Sequence, residues 1–292
     1  GLQLANALRA GIYRLFERTD HINKINVFPV PDGDTGTNMS MTLSAVLAAI
    51  DRAPEPHAGT LLVRAADAAL DGARGNSGAI LAQFLLGLGD GAGHLARLGR
   101  REFVAAVSKG SVYARDALSQ PREGTILTVL REFAQASEAT LGQSRNFGEL
   151  FSAALIRVRT SLEATRSQLD ELRIANVVDA GALGFVEVLE GMRRFLETGE
   201  VGPVVAPLHI GDEPMADAGS VSVDQNFRYC TECLITTSGD DQLDLRQLRE
   251  QFAERGASLV ISGNKHKARI HIHTNTPDDV FRLAANYGVV SA

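Results

Sequence analysis

Two carboxylates one residue apart on a glycine-rich loop, Asp32-Gly33-Asp34-Thr35-Gly36, offer hard oxygen ligands of the kind Mg²⁺ takes. The loop is entered through Asn26-Val27-Phe28-Pro29-Val30-Pro31 and opens a predicted helix. The prolines stiffen the approach, the glycines let backbone amides come close to a ligand, and the helix N-terminus adds a partial positive charge. Together these suit a magnesium-bound polyphosphate. The same residue types also cap helices and make turns, so the loop by itself leaves both readings open.

A second group lies near the end of the chain. Cys230 falls on a predicted strand over 227–237, and His271 and His273 stand two apart on another over 268–274, which puts both histidines on one sheet face. If the two strands are neighbours, Cys230 sits opposite the pair with Glu232 on its own face, a donor set suited to tetrahedral Zn²⁺. Spacing equally allows a buried cysteine beside histidines on a solvated face. Cys233 reads as packing and His266 as surface.

Positioning these groups takes two kinds of element. From Leu2 to about Glu197 apolar residues recur at helical spacing, and eight helices are expected near 2–17, 36–51, 59–71, 77–90, 101–118, 125–139, 147–167 and 181–197. Short connections make them an up-and-down bundle or barrel. Residues 1–198 are then one all-α domain, and 199–224, rich in proline, glycine and small residues, a linker. Residues 225–292 read as strand, helix, strand, strand, helix, strand, the order of a small ferredoxin-like α+β domain. The chain starts without Met and closes on Ser291-Ala292 as a strand begins, which reads as a piece of a longer protein.

In such a bundle alternate helices point the same way. The second, fourth, sixth and eighth follow Asp32-Gly33-Asp34-Thr35-Gly36, Gly72-Ala73-Arg74-Gly75-Asn76-Ser77-Gly78, Glu123-Gly124-Thr125 and Asp179-Ala180-Gly181, so four N-termini converge on one rim. Each could be a plain cap, but the other rim lacks such starts, which favours a shared anionic ligand. On that reading Asp32 and Asp34 hold Mg²⁺. Thr35, Gly36, Thr37, Asn38, Asn76, Ser77 and Gly78 take phosphate oxygens, and Gly124, Thr125, Asp179 and Gly181 frame the nucleoside. Met41 and Leu127 are candidate base neighbours that read better as core.

Composition bounds the function. The 292 residues are 45% hydrophobic, ample for a buried core, and carry a net charge of −6 without a long basic run. This argues against a nucleic-acid or membrane-surface binder. Two cysteines are too few for a disulfide scaffold and point to a reducing, cytoplasmic setting. No apolar run approaches the roughly 18 residues of a membrane span. No P-loop, GxSxG or protein-kinase catalytic loop occurs, in keeping with a site made of metal and backbone.

The four rim motifs, in order and including Val178-Asp179-Ala180-Gly181-Ala182-Leu183-Gly184, resemble the nucleotide-binding L domain of dihydroxyacetone kinases across nearly all of residues 1–197. The entry Asn26-Val27-Phe28-Pro29-Val30-Pro31 resembles more narrowly the kinase subunit of bacterial fatty acid kinase. That resemblance implies ATP or ADP with one or two Mg²⁺. Dihydroxyacetone kinases use three acidic residues for two ions, and here Asn26 is the candidate for the third position, one charge short. Tyr229-Cys230-Thr231-Glu232 and His271-Ile272-His273-Thr274-Asn275 resemble that subunit's middle domain, which implies zinc on Cys230, His271 and His273. The implied reaction is transfer of the γ-phosphoryl of MgATP to a fatty-acid carboxylate presented by a separate lipid-binding protein, with a C-terminal docking region outside this chain. Alternatives are a dihydroxyacetone (glycerone) kinase subunit with its substrate subunit in trans, and a non-catalytic nucleotide sensor or scaffold. The open sheet face is a candidate homodimer surface.

Overall fold

The computed structural model describes residues 1–206, 227–238 and 241–291. Nine helices precede the sheet among the described residues: α1 (Leu2–Lys24), α2 (Thr35–Asp51), α3 (Ala58–Gly72), α4 (Gly75–Ala92), α5 (Arg100–Asp116), α6 (Ile126–Thr140), α7 (Phe147–Gln168), α8 (Asp170–Ala175) and α9 (Ala180–Thr198). The eight expected helices are all present. The addition is α8, a six-residue turn that stops at Asn176 in the left-handed conformation (φ 54°). It is too short to carry a periodic signal of its own. α1 also runs seven residues past the expected end, because its last turns, with Thr19 and Ile22 buried, lie beneath the loop that follows.

Each long helix packs on its sequence neighbours, and α9 returns to lie along α1, so the ring closes into a barrel. Inside, Phe84, Phe103, Phe133, Phe147, Phe151 and Phe185 form a chain of ring contacts, with centroids 5.4 Å apart for Phe84–Phe185 and 5.9 Å for Phe133–Phe185. Most of these contacts are edge-on, the arrangement that the ring quadrupole favours. Burial of this face drives the bundle, since helices of 15 to 23 residues gain little from propensity alone.

The small domain comprises β1 (Tyr229–Thr236), α10 (Leu245–Ala253), β2 (Ala257–Gly263), β3 (Lys267–Thr274), α11 (Pro277–Ala285) and β4 (Val289–Ser291). The sheet order is β2-β3-β1-β4 with all pairs antiparallel, the ferredoxin-like arrangement. Both helices cover one face, where Phe252, Ile261, Ile270, Ile272 and Val280 are buried. The segment read as a linker runs, beyond residue 206, outside the described residues.

Docking of the small domain onto the barrel uses backbone groups heavily. The Arg269 guanidinium, 5% exposed, donates to the carbonyls of Leu70 (3.2 Å) and Asp71 (2.9 Å) at the end of α3. The Gly263 amide donates to Oε1 of Gln83 (2.8 Å) and the Ile261 amide to the Ala117 carbonyl (2.9 Å). Lys267 adds an ion pair to Asp71 at 2.6 Å.

Candidate functional site

The loop between α1 and α2 is organised by one side chain. Asn26, 5% exposed, accepts through Oδ1 from the Asp34 amide (3.2 Å), the Thr35 amide (3.0 Å) and the Thr35 hydroxyl (2.8 Å), while its Nδ2 donates to the Val30 carbonyl (3.0 Å). Asn26 thus supplies the cap of α2 from outside the helix. Asp34 occupies the N-cap position but makes no side-chain cap bond. Its carboxylate is left to the cleft, which answers the plain-cap reading for this loop. The same bonds revise the role expected for Asn26 itself, whose amide oxygen is committed to three donors rather than held ready for a metal.

Asp32, Asp34, Thr35 and Asn38 meet Arg74, Gly75, Asn76 and Ser77 of the α4 start around a cavity of about 740 Å³. Burial, reinforced by the charge of Asp34 and a hydrogen bond with it, pushes the Asp32 carboxyl up to about 6. Two crowded carboxylates sharing a proton are what a divalent cation replaces, so the donors present fit Mg²⁺.

Not every expected residue lines this space. A side chain at Gly36 would meet the Thr19 carbonyl at 2.4 Å, so that glycine lets α2 lie against α1. The Thr37 amide and hydroxyl are bonded to Asn23 of α1, at 3.1 and 2.9 Å. Gly78 backs onto Thr42, and Gly124 turns away at φ 83° against Gln168. Leu127 is part of the barrel core, and Met41 lines neither half of the cleft.

A second cavity of about 490 Å³ continues from the first, sharing Pro29, Asn76 and Ser77 with it. Thr125, Ile126, Asp179 and Gly181 bound it from the α6 and α9 starts, with Phe28 and Arg122 at its edge, the guanidinium 5.9 Å from the ring centre. Here the capping reading holds: Thr125 accepts from the Leu127 amide at 3.4 Å and Asp179 from the Ala182 amide at 2.8 Å. Burial raises the Asp179 carboxyl to about 6, and the amides of Ala182 and Ile126 only partly oppose it.

The small domain closes the first cavity from the other side. Register pairs Cys230 with His273 and Glu232 with His271, so all four side chains share one sheet face as expected. Ligand atoms of Cys230, His271 and His273 lie within 4.8 Å of one another, and all three residues line the same cavity as Asp32 and Asp34. His271 is 3% exposed, with a buried Nε2 that has no partner and an Nδ1 that lies 3.8 Å from Cys230 Sγ and 2.9 Å from Glu232 Oε1. Burial alone would raise the Cys230 thiol, but hydrogen bonds and charge from His271 and His273 outweigh it and bring it down to about 7. For His271 burial works downward, and Cys230 and Glu232 overcome it, lifting it to about 9. A thiol inclined to ionise and two imidazoles, with their ligand atoms this close, are a donor set that fits Zn²⁺.

Several participants have no role legible from residue type and spacing, although Phe28 and Arg74 lie inside the motifs themselves. Arg74 pairs with Glu232 at 3.4 Å, and Phe28 and Arg122 flank the second cavity. The start of β2 forms part of the same wall. Arg74 and the β2 start show their part only where the two domains meet, and Phe28 and Arg122 only where two barrel loops do.

The DAK2 domain family matches residues 29–194, and the FakA-like middle domain family of fatty acid kinase matches residues 226–292. An uncharacterized protein of Staphylococcus aureus is 30% identical over 293 residues, and one of Staphylococcus saprophyticus is 31% identical over 295. Both alignments cover 99% of this chain, which spans about half the length of these curated relatives (54% and 53%). Among solved structures, the dihydroxyacetone kinase of C. freundii in its native form matches with TM-score 0.53 and 19% identity over 66% of this chain and 34% of that one. Its complex with AMP-PNP and Mg²⁺ matches with TM-score 0.53 and 17% identity over the same shares. Among the described residues no helix is long and apolar enough to cross a membrane.

Proposed function

The chain belongs to the DAK2 domain family, and we propose that it is the ATP-dependent kinase part of a two-component enzyme that phosphorylates a fatty-acid carboxylate held by a separate lipid-binding protein. One observation carries the reading: Asp32 and Asp34 of the barrel and the Cys230, His271 and His273 group of the small domain line a single cavity. The fold match to a kinase crystallised with an ATP analogue and Mg²⁺ supports the nucleotide. The match of residues 226–292 to a fatty acid kinase middle domain supports the acceptor.

Asp32 and Asp34 would hold Mg²⁺, which supplies charge neutralisation on the phosphate oxygens when bound. Asn38, Asn76 and Ser77 border the same half and donate hydrogen bonds to those oxygens, and the α2 and α4 N-termini add their dipoles. The narrower half takes the nucleoside. An acyl carboxylate oxygen forms the new bond to the γ-phosphorus as the bond to the β–γ bridging oxygen breaks, and ADP leaves with the electron pair. That nucleophile is already ionised near neutral pH and needs no base, in keeping with catalysis by positioning and charge. Cys230, His271 and His273 would hold Zn²⁺ on the wall of that cavity contributed by the small domain.

Calorimetric titration of ATP with and without Mg²⁺, repeated on Asp34→Asn, tests the nucleotide. Binding should require Mg²⁺ and collapse in the variant; a folded wild type that ignores ATP would overturn the kinase reading. ADP release should then depend on a fatty-acid-loaded carrier protein. Release driven instead by dihydroxyacetone and a substrate subunit would favour the glycerone kinase alternative.

A further inference from the structure

The edge strand β2 departs from regularity at its start. Its pairing with β3 runs from Ala257 opposite His273 to Val260 opposite His271, three steps on one strand against two on the other, so one extra residue is accommodated. Ser258 within this bulge has φ 53°, a left-handed backbone that side chains other than those of Gly and Asn adopt at a cost. Bulges re-aim side chains, and such conformations persist where surrounding structure over-determines them.

Here the surroundings are the barrel. Leu118, just after α5, forms an antiparallel bridge with Val260, and the Ser119 amide donates to the Leu259 carbonyl at 3.4 Å. Ala79, Ala117 and Val260 pack into a small buried cluster beneath this bridge. The exposed edge of the small sheet is therefore continued onto the barrel, and the bulge is held over the narrower cavity of the cleft. Ala257, Ser258 and Leu259 border that cavity opposite Thr125 and Asp179.

We propose that the bulged start of β2 is a nucleoside-binding wall contributed by the small domain, with Ser258 as the residue that contacts the nucleoside. The inference rests on the nucleotide reading above and extends it: the small domain, which closes the wider cavity with Cys230, His271 and His273, also walls the narrower one that takes the nucleoside. Glycine at position 258 would satisfy the backbone without strain, so the side chain is the part with a role to test.

The test compares MgATP with Mg²⁺-bound inorganic triphosphate as titrants of the whole chain, for wild type, Ser258→Gly and Ser258→Asn. Both substitutions suit the left-handed backbone, so folding is retained. ATP affinity should fall about three- to tenfold in Ser258→Gly, the range of one lost hydrogen bond, and at least as far in Ser258→Asn through crowding. Triphosphate affinity should stay within about twofold of wild type. Unchanged ATP binding in both variants, or equal losses for the two titrants, overturns the wall and leaves the nucleotide reading standing. A wild type that binds neither titrant overturns both.

Discussion

Glu232 of the small domain accepts a hydrogen bond at 2.7 Å from the backbone amide of Gly75, the first residue of α4. The same oxygen is 2.9 Å from Nδ1 of His271, and the other carboxylate oxygen lies 3.4 Å from Arg74. A carboxylate from one domain thus occupies a free amide at a helix start of the other while orienting a candidate zinc ligand. Gly75 permits this at φ 57°, and a side chain there would meet Asn38 at 2.4 Å. Removing Glu232 leaves that amide, His271 and Arg74 without this acceptor, and removes the charge that lies 3.7 Å from Arg269. Glu232→Ala should destabilise the docked state by about 1–3 kcal/mol, read as a lower urea midpoint. An unchanged midpoint would mean that Arg269, Gln83 and Ala117 hold the domains together without it.

The crowded pair Asp32 and Asp34 makes metal binding proton-linked. Because Asp32 titrates at about 6, Mg²⁺ must displace a proton below that pH. Apparent MgATP affinity should be level near pH 7.5 and fall as pH drops through about 6, with proton uptake by the buffer visible in calorimetry. Affinity that stays level down to pH 5 would contradict the shared-proton picture.

Asp179 carries a stability prediction of its own. Its carboxyl is raised from 3.8 to about 6 in the folded chain, so the folded state keeps the proton over a range where the unfolded state has lost it. The stability this contributes is complete below about pH 4 and is lost as pH rises through about 6. Asp179→Asn keeps an acceptor for the Ala182 amide and cannot ionise. Above pH 7 the variant should exceed wild type in stability by up to about 3 kcal/mol, at roughly 1.4 kcal/mol for each pH unit that separates the folded and unfolded values, and the gain should vanish near pH 4. Denaturation at both pH values decides it; a variant weaker than wild type at pH 7.5 would show that the ionised cap is favourable.

Zinc should co-purify at one equivalent per chain and be absent from Cys230→Ala and His271→Ala, measured by elemental analysis. Asp34→Asn should retain the zinc while losing Mg²⁺-dependent ATP binding, since its carboxylate belongs to the opposite wall. A metal-free wild type that binds added Zn²⁺ no better than Cys230→Ala would leave the thiol and imidazoles as a hydrogen-bonded trio.

Much of this architecture was legible in the sequence. The 3.6-residue period located the long helices, and alternation with two helices implied the sheet order that puts Cys230 across from His273. The rim followed from helix polarity alone. What escaped was decided by contacts that leave no mark on residue type. Asn23 is ordinary in a helix, yet its side chain takes both the amide and the hydroxyl of Thr37. Asn26 resembles a ligand by position and acts as a clamp. Domain docking runs through the carbonyls of Leu70, Asp71 and Ala117, which every residue possesses.

The phenylalanine chain within the barrel bears on how tightly a ligand at the rim could bind. Phe84 of α4, Phe133 of α6 and Phe185 of α9 lock together the helices whose first residues form three of the four starts. Spacing between those starts is set by a dry core rather than by anything that lands on them. Association then demands little ordering of these starts relative to one another, which lowers the entropic cost of binding at the rim. The rim is accordingly a preformed anvil, its spacing set before any ligand arrives.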